Sequence, residues 1–290
     1  METIRTISWM KEVAKEPLLN ERPLGLVPTM GALHEGHFSL VREAKRKCSP
    51  VVVSIFVNPK QFGPTEDLKK YPRTFEADRE ALATLGVDVL FAPSAEEMYP
   101  AGFSTSVTVK GLSDRWEGRA RPGHFDGVAT VVLKLFEIVK PHTAFFGRKD
   151  AQQARVIQQL SADLNLDTQI DLCSIVREPD GLALSSRNVY LNPDDRRAAT
   201  AIYGSLVECK KIIQSGERDV VRLLSAMRGK LESEPRLMPD YVEIVDATTF
   251  EPVRALRGNC YALIAAKAGA TRLIDNAYIE QEGESFRVTI

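Results

Sequence analysis

The segment His34-Glu35-Gly36-His37 combines residue types and a spacing that suit chemistry on an anion. It follows an apolar run, Leu24 to Pro28, and a turn, and the apolar spacing after it predicts a helix over Phe38 to Lys47. The two imidazoles therefore lie where a helix begins, beside main-chain N–H groups that have no partner within a helix. Those groups and the positive end of the helix dipole favour a phosphate, and Gly36 leaves room for its close approach.

Two other interpretations of these histidines compete with phosphate binding. A zinc site would resemble the H-E-x-x-H motif, but these histidines are three residues apart instead of four. A third ligand would have to be His124 or His142, and neither has a neighbour that helps, so no metal ligand is assigned. Histidines that only cap a turn are the other alternative, which is less favoured because two of the chain's four histidines share this junction.

Two further polar segments could bind phosphate. Gly147 to Asp150 follows the apolar run Thr143 to Phe146, so Lys149 can place a point charge on phosphate oxygens, and Asp150 can cap a helix or hold a ribose hydroxyl. Leu184 to Asn188 follows a Pro-Asp-Gly turn and offers two hydroxyls and a guanidinium. Taken alone, each segment also fits an ordinary solvated surface.

A third segment suits a neutral, hydroxylated ligand. Asn58 to Phe62 follows the apolar run Val51 to Val57. Its Gln61 provides hydrogen-bond donors and an acceptor without charge, which favours a hydroxy-acid substrate.

The elements that must position these segments alternate along the first part of the chain. Continuous apolar runs of the kind found in parallel strands buried on both faces occur at Leu24 to Pro28, Val51 to Val57, Val87 to Phe91 and Thr143 to Phe146. Helical spacing separates them at Phe38 to Lys47, Phe75 to Leu85 and Val128 to Val139. This alternation predicts an α/β fold with a doubly wound parallel sheet, whose strand ends open onto one crevice.

After Val176 the pattern changes to that of a smaller α+β domain. Asn192-Pro193 begins a helix that ends near Gly216, and a second helix runs from Asp219 to about Ser233. Tyr241 to Val245 and Tyr261 to Ala266 are predicted strands. We therefore expect two domains, residues 1–176 and 177–290.

The composition of the 290-residue chain restricts its class. Hydrophobic residues make up 44% and charged residues 27%, as in globular proteins and unlike disordered ones. We expect no membrane span and no signal peptide, because no apolar run is long enough. Basic and acidic residues number 22 and 22 up to residue 176, and 16 and 17 beyond it, which disfavours nucleic-acid binding. The four scattered cysteines are expected to be reduced thiols.

Other well-known motifs are absent from the sequence: it contains no P-loop, dinucleotide-binding or serine-hydrolase motif.

The polar segments together resemble the pantothenate synthetase family, within the wider superfamily of H-x-G-H adenylyl-transferring enzymes. The matching segments span nearly the whole chain in the family's order. They are Val27 to His37, Ser54 to Phe62, Tyr71 to Thr74, Arg121 to Phe125, Phe146 to Asp150, Asp180 to Asn188 and Arg272 to Asn276. Arg148 and Ala151 stand where relatives vary.

The resemblance implies ATP-dependent joining of pantoate and β-alanine through an enzyme-bound pantoyl adenylate, with AMP and pyrophosphate released. His34, His37 and Lys149 would be catalytic, with His37 as proton donor. Gln61 and Gln153 would hold pantoate, and Gln61 would also neighbour β-alanine. The ATP site would comprise Met30, Gly31, Ala32, Leu33, His34, Glu35, Gly36, His37, Gly147, Arg148, Lys149, Asp150, Val176, Leu184, Ser185, Ser186 and Arg187.

The resemblance also implies Mg²⁺ with the nucleotide and a cytoplasmic homodimer. Residues 1–176 would form a Rossmann-like ATP- and pantoate-binding domain, and residues 177–290 would form a C-terminal α+β lid that closes over the site.

Two alternatives to this function remain. Another adenylyl-transferring enzyme of the same superfamily would use a different acceptor, and a non-catalytic module would bind ATP without pantoate-dependent turnover.

Overall fold

The computed structural model describes residues 1–15, 23–63 and 68–290 of the chain. Within them the chain forms two compact units. The first unit contains residues 1–148 and 152–174, and the second contains residues 149–151 and 175–290. The division lies close to the boundary expected at residue 176, while the functional roles assigned to the two domains remain predictions.

The first unit is built on a six-stranded sheet in which every pair of neighbours is parallel. Its strands are β1 (Glu2–Ile4), β2 (Gly25–Thr29), β3 (Val51–Ile55), β4 (Val89–Phe91), β5 (Thr143–Gly147) and β6 (Gln169–Cys173). The strand order is β1-β4-β3-β2-β5-β6. The chain therefore proceeds outward from β2 to β4 and then returns to the other side of β2, which confirms the doubly wound arrangement.

Helices accompany this sheet along the chain. They are α1 (Ile7–Val13), α2 (Glu35–Lys47), α3 (Phe75–Thr84), α4 (Ala95–Met98), α5 (Trp116–Ala120), α6 (His124–Val139) and α7 (Ala151–Asp163). Two of them begin earlier than their apolar spacing predicts, because polar residues and glycines interrupt that spacing in the first turns. The predicted start at Phe38 lies at Glu35, and the predicted start at Val128 lies at His124.

The core of the first unit lies on both faces of the sheet, as the continuous apolar runs predict. Successive residues of a strand point to opposite faces. Leu26 and Val52 accordingly belong to the cluster that includes helix α6, whereas Val27 and Val53 belong to the cluster that includes helix α2. All four side chains are at most 1% exposed. Two buried layers therefore hold the strand ends, and the polar segments that follow them, in fixed positions.

The second unit contains a four-stranded antiparallel sheet and two long helices. The helices are α8 (Pro193–Gln214) and α9 (Val220–Glu232), and the strands are β7 (Leu237–Asp246), β8 (Cys260–Ala268), β9 (Thr271–Glu282) and β10 (Ser285–Thr289). Both predicted helix starts are confirmed: Asn192 caps α8 by accepting the N–H groups of Asp194 and Asp195, and Asp219 caps α9. The α/β unit with a separate α+β unit agrees with the predicted fold class.

The four cysteines are free. Burial raises the pKa of the Cys173 and Cys260 thiols to about 11 and that of Cys209 to about 12. These thiols are therefore protonated near neutral pH. None of the helices in the part of the chain that the structure describes has the length and hydropathy of a membrane span.

Candidate active site

The first turn of α2 is organised by the two predicted histidines. His34 is the N-cap residue, and its Nδ1 accepts the main-chain N–H of Gly36 at 3.1 Å. His37 reaches back, so that its Nδ1 accepts the main-chain N–H of His34 at 3.3 Å. The ring centroids lie 4.2 Å apart. Glu35, also on this turn, forms an ion pair with Arg42. The two histidines therefore form a reciprocal cap, in which each Nδ1 accepts a hydrogen bond from a main-chain N–H group.

A buried carboxylate holds the turn that leads from β2 into this helix. Asp78, on α3 and 4% exposed, accepts the main-chain N–H groups of Ala32 and Leu33, each at 2.9 Å. Gly31 and Ala32 both have positive φ, +82° and +51°, so the turn needs external support. A Cβ on Gly31 would lie 3.2 Å from an Asp78 carboxylate oxygen. Asp78 therefore positions the segment that precedes the histidines, and sequence reasoning did not identify it.

Gln61 lies in a second polar cluster of the first unit and is 7% exposed. Its side-chain Nε2 lies 2.7 Å from Sδ of Met30, and its Oε1 accepts from Nδ2 of Asn58 at 3.2 Å. Asn58 in turn accepts a hydrogen bond from the Tyr99 hydroxyl at 2.8 Å. Burial raises the pKa of Tyr99 to about 12, which keeps this hydroxyl a donor. The structure thus places predicted residues Met30 and Gln61 in direct contact.

The main chain of Gln61 is held from the start of α6. His124 is 8% exposed, and its Nδ1 lies 2.8 Å from the Gln61 carbonyl oxygen. Its Nε2 lies 3.0 Å from Nη1 of Arg121, which can only donate. The neutral His124 ring therefore carries its proton on Nδ1 and donates to Gln61. Gly127 packs so closely that a Cβ there would lie 2.3 Å from the carbonyl oxygen of Lys60.

Two neighbouring glutamines on helix α7, Gln152 and Gln153, differ in their burial. Gln152 is 4% exposed, accepts from the main-chain N–H of Glu117 at 3.0 Å, and donates to the carbonyl oxygens of Leu112 and Arg115. Gln153, the predicted pantoate ligand, is half-buried. Gln152 is thus a structural residue, whereas the role of Gln153 remains a prediction.

The segment after β5 contains the predicted lysine. Gly147 is the last residue of β5, and Arg148 follows it in the first unit. Lys149 and Asp150 belong to the second unit, where the Lys149 side chain is 20% exposed and its Nζ lies 3.7 Å from Oδ1 of Asp150. The Lys149 carbonyl oxygen accepts a hydrogen bond from Nδ2 of Asn276, on β9, at 2.9 Å.

The loop with the predicted hydroxyls and guanidinium is ordered by its own hydrogen bonds. Leu184 donates its main-chain N–H to the Val176 carbonyl oxygen at 3.0 Å. Ser185 then caps a short helical segment, Ser186–Tyr190, by accepting the main-chain N–H of Arg187 at 3.2 Å. The second unit therefore brings Val176 and Leu184 together and holds Ser185 and Arg187 on one tight turn.

No group of three or more His, Cys, Asp or Glu side chains that could hold a metal ion occurs in the part of the chain that the structure describes.

The doubly wound sheet, with a capped helix after its second strand, defines an α/β nucleotide-binding type of fold. Comparison with known proteins identifies the family. The family model described as pantoate-beta-alanine ligase matches residues 2–278.

Relatives and solved structures agree with that match. Pantothenate synthetase of Thermotoga neapolitana is 53% identical over 279 residues, which are 96% of this chain and all of the relative. The crystal structure of pantothenate synthetase from Thermus thermophilus is 44% identical with a TM-score of 0.91, covering 95% of this chain and 98% of that one. The pantoate-beta-alanine ligase of Francisella tularensis, solved as a complex with beta-gamma ATP and beta-alanine, is 36% identical with a TM-score of 0.76 over 95% and 97% of the chains.

The chain belongs to the pantoate–β-alanine ligase family. It is an enzyme of the ligase class, and the family resemblance expected from the motifs is confirmed.

Proposed function

We propose that this enzyme joins pantoate to β-alanine at the expense of ATP, releasing pantothenate, AMP and pyrophosphate. The family match over residues 2–278 supports this reaction, as does the Francisella relative solved with beta-gamma ATP and beta-alanine. The structural observation that carries the proposal is the histidine-capped start of α2, where two imidazoles and a helix N-terminus suit a phosphate.

The reaction proceeds in two steps. A carboxylate oxygen of pantoate attacks the α-phosphorus of ATP, the bond from that phosphorus to the bridging oxygen breaks, and pyrophosphate leaves with the electron pair. The resulting pantoyl adenylate is a mixed anhydride with a good leaving group. The amine of β-alanine then attacks the acyl carbon, AMP leaves, and the amine loses a proton. Catalysis of such transfers depends on positioning and on charge stabilisation.

His34 and His37 are suited to stabilising that charge as neutral donors. The Nδ1 atom of each ring accepts a main-chain N–H, so each neutral ring carries its proton on Nε2. We propose that these Nε2–H groups donate hydrogen bonds to the transferring phosphate and to the departing pyrophosphate. The donor role that the resemblance implies for His37 is then that of a hydrogen-bond donor, because a neutral imidazole that gave up its Nε2 proton would become an imidazolate. Such a donor contributes about 3 kcal/mol to transition-state stabilisation.

The remaining ATP ligands are proposed from both units. Met30 to His37 belong to the first unit, with Gly147 and Arg148, whereas Lys149, Asp150, Val176 and Leu184 to Arg187 belong to the second. Lys149, Ser185, Ser186 and Arg187 carry the cation, hydroxyl and guanidinium groups that bind phosphate oxygens. ATP is expected as its magnesium complex, because Mg²⁺ is usually held by substrate phosphates with few protein ligands.

Pantoate is assigned to Gln61 and Gln153, and β-alanine to the neighbourhood of Gln61. The buried side-chain amide of Gln61 is fixed at Oε1 by Asn58 and at Nε2 by Met30, and the main-chain carbonyl group of Gln61 is held by His124, so the orientation of the amide is preset. A preset neutral amide suits the hydroxyls of pantoate without adding charge beside its carboxylate. The homodimer, the cytoplasmic location and the lid role of residues 177–290 belong to the same proposal.

An assay of product formation tests the proposed function. The enzyme is incubated with ATP, pantoate and β-alanine, and AMP and pantothenate are measured while each substrate is omitted in turn. We expect both products only in the complete mixture. Formation of ADP in place of AMP, or AMP release that does not depend on pantoate, would overturn the proposal. The second outcome would favour an adenylyl-transferring enzyme with another acceptor.

A further inference from the structure

Two consecutive buried polar residues on strand β9, Asp275 and Asn276, have no role in the proposed chemistry. They are 3% and 2% exposed. Both pair with strand β8, and β10 ends opposite Tyr278, so β9 continues past β10 at this point. The short helical segment Ser186–Tyr190 packs against β9. Because burial of polar groups is costly unless they are well bonded, the partners of these two side chains indicate what they do.

Asp275 holds the base of the loop that contains Ser185 and Arg187. Its carboxylate forms two hydrogen bonds with Arg177, at 2.6 and 2.9 Å, and the two side chains are 2% and 11% exposed. Arg177 also donates to the Gly181 carbonyl oxygen at 3.0 Å and lies over the Tyr203 ring. The segment from Arg177 to Ala183 folds back on itself through a bridge between those two residues. The ion pair therefore fixes the turn from which the loop extends.

Asn276 holds the other phosphate-binding segment of the same unit. Its Nδ2 donates to the Lys149 carbonyl oxygen at 2.9 Å. Successive residues of a strand project to opposite faces, so Asp275 and Asn276 can serve two different segments. One strand thus determines the spacing between the Lys149 backbone and the loop that carries Ser185 and Arg187.

We propose that Asp275 and Asn276 are positioning residues for triphosphate binding. Asn276 sets the main chain of Lys149, and Asp275, through Arg177, sets the loop at Ser185 to Arg187, so that both segments meet the phosphates with a fixed separation. This inference rests on the proposed function, in which these segments bind the phosphates of ATP. In this proposal both residues act through these two segments and not by contact with ATP, so their effect is on phosphate affinity and not on the nucleoside.

The test compares the affinities for ATP and for adenosine by calorimetric titration of the full-length protein. Asn276→Leu removes the donor while keeping the size and neutrality of the side chain. We expect the dissociation constant for ATP to rise about tenfold, and that for adenosine to change less than about twofold. Ser205→Ala is the matched control, because Ser205 is also fully buried and also donates to a carbonyl oxygen, that of Met227. It should leave both affinities unchanged.

A second variant covers the case in which Asn276→Leu does not fold. The double variant Arg177→Met with Asp275→Leu replaces the buried ion pair by apolar side chains without changing net charge, a replacement that proteins often tolerate. It should show the same selective loss of ATP affinity. Equal losses for ATP and adenosine, or no loss for either, would overturn the positioning role. Pantothenate synthesis by the wild-type enzyme is a separate measurement, so failure of the proposed function is distinguished from failure of this inference.

Discussion

The Nδ1 atom of His37 accepts the main-chain N–H of His34 at 3.3 Å, while His34 uses its own Nδ1 to accept the N–H of Gly36. The two ring centroids are 4.2 Å apart, with the ring planes tilted by 43°. Because a nitrogen that accepts a hydrogen bond carries no proton, both neutral rings have their protons on Nε2. The cap of α2 therefore orients two donors of the kind that stabilise charge on a transferring phosphate.

Replacing His37 by Ala should reduce adenylate formation by a factor of about 100 or more. Loss of one preorganised donor costs about 3 kcal/mol in the transition state. The measurement is single-turnover formation of pyrophosphate from ATP and pantoate. His142→Ala is the matched control, because the Nδ1 of His142 also accepts a main-chain N–H, that of Leu24. That variant should lose stability and keep its adenylation rate. A His37→Ala variant with near-normal adenylation would contradict the assigned role.

Asp78→Asn should lower both the stability of the protein and its rate of adenylation, because Asp78 supports the turn at Gly31 to Leu33. The carboxylate accepts two main-chain N–H groups, and an amide presents a donor in place of one acceptor, leaving one N–H without its partner. We expect a loss of about 1–3 kcal/mol in the free energy of unfolding and a lower rate of adenylation.

Denaturant titration and the single-turnover assay measure the two effects of Asp78→Asn. The control is Asp171→Asn, which removes a carboxylate that pairs with Lys47 on the first unit. This change should cost less than about 1 kcal/mol and leave the rate unchanged. If Asp78→Asn were no more harmful than Asp171→Asn, Asp78 would not support the turn.

Gln61→Ala and Gln153→Ala should weaken pantoate binding far more than ATP binding. Each change removes a neutral amide that is proposed to bind the hydroxyls and carboxylate of pantoate. Calorimetric titration with each substrate measures the selectivity. Gln152→Ala provides the comparison. Gln152 is buried, and its side chain forms hydrogen bonds with the main chain of Leu112, Arg115 and Glu117. Gln152→Ala should lower the stability of the fold without weakening pantoate binding more than ATP binding. Equal losses of affinity for pantoate and for ATP in Gln61→Ala or Gln153→Ala would remove that glutamine from the pantoate site.

Much of the fold follows from local patterns. The runs around Val27 and Val53 predict strands buried on both faces, and the structure has them at the centre of a doubly wound sheet. Asn192 caps helix α8 as expected, and helix α9 starts at the predicted Asp219, which is its N-cap. The first turn of α2 is recognisable because two histidines at one strand-to-helix junction are unusual among four in the chain.

Other features depend on contacts between residues distant in the sequence. Asp78 lies 46 residues from Ala32, and Asp275 lies 98 residues from Arg177. An isolated Asp on a helix or a strand is typical of a solvated surface, so no local pattern distinguishes these buried carboxylates. Strand β6 was not predicted either, because Asp171 interrupts a short run and pairs with Lys47.

The loop Leu184 to Asn188 should become protected from hydrogen exchange when ATP and pantoate bind. In the proposed site, phosphate oxygens bind Ser185, Ser186 and Arg187, and these contacts reduce opening of the loop. Exchange measured by mass spectrometry, with and without the ligands, gives the protection. Arg187→Ala should abolish most of it. Identical exchange of the wild-type loop in both states would leave Arg187 outside the ATP site.

The most direct test of the account is a rapid-quench measurement with ATP and pantoate in the absence of β-alanine. A pantoyl adenylate held by the enzyme predicts one pyrophosphate per active site in the first turnover, and addition of β-alanine then converts the retained adenylate to pantothenate and AMP. Pyrophosphate formation that occurs only when β-alanine is present would contradict the adenylate intermediate and the charge-stabilising role assigned to His34 and His37.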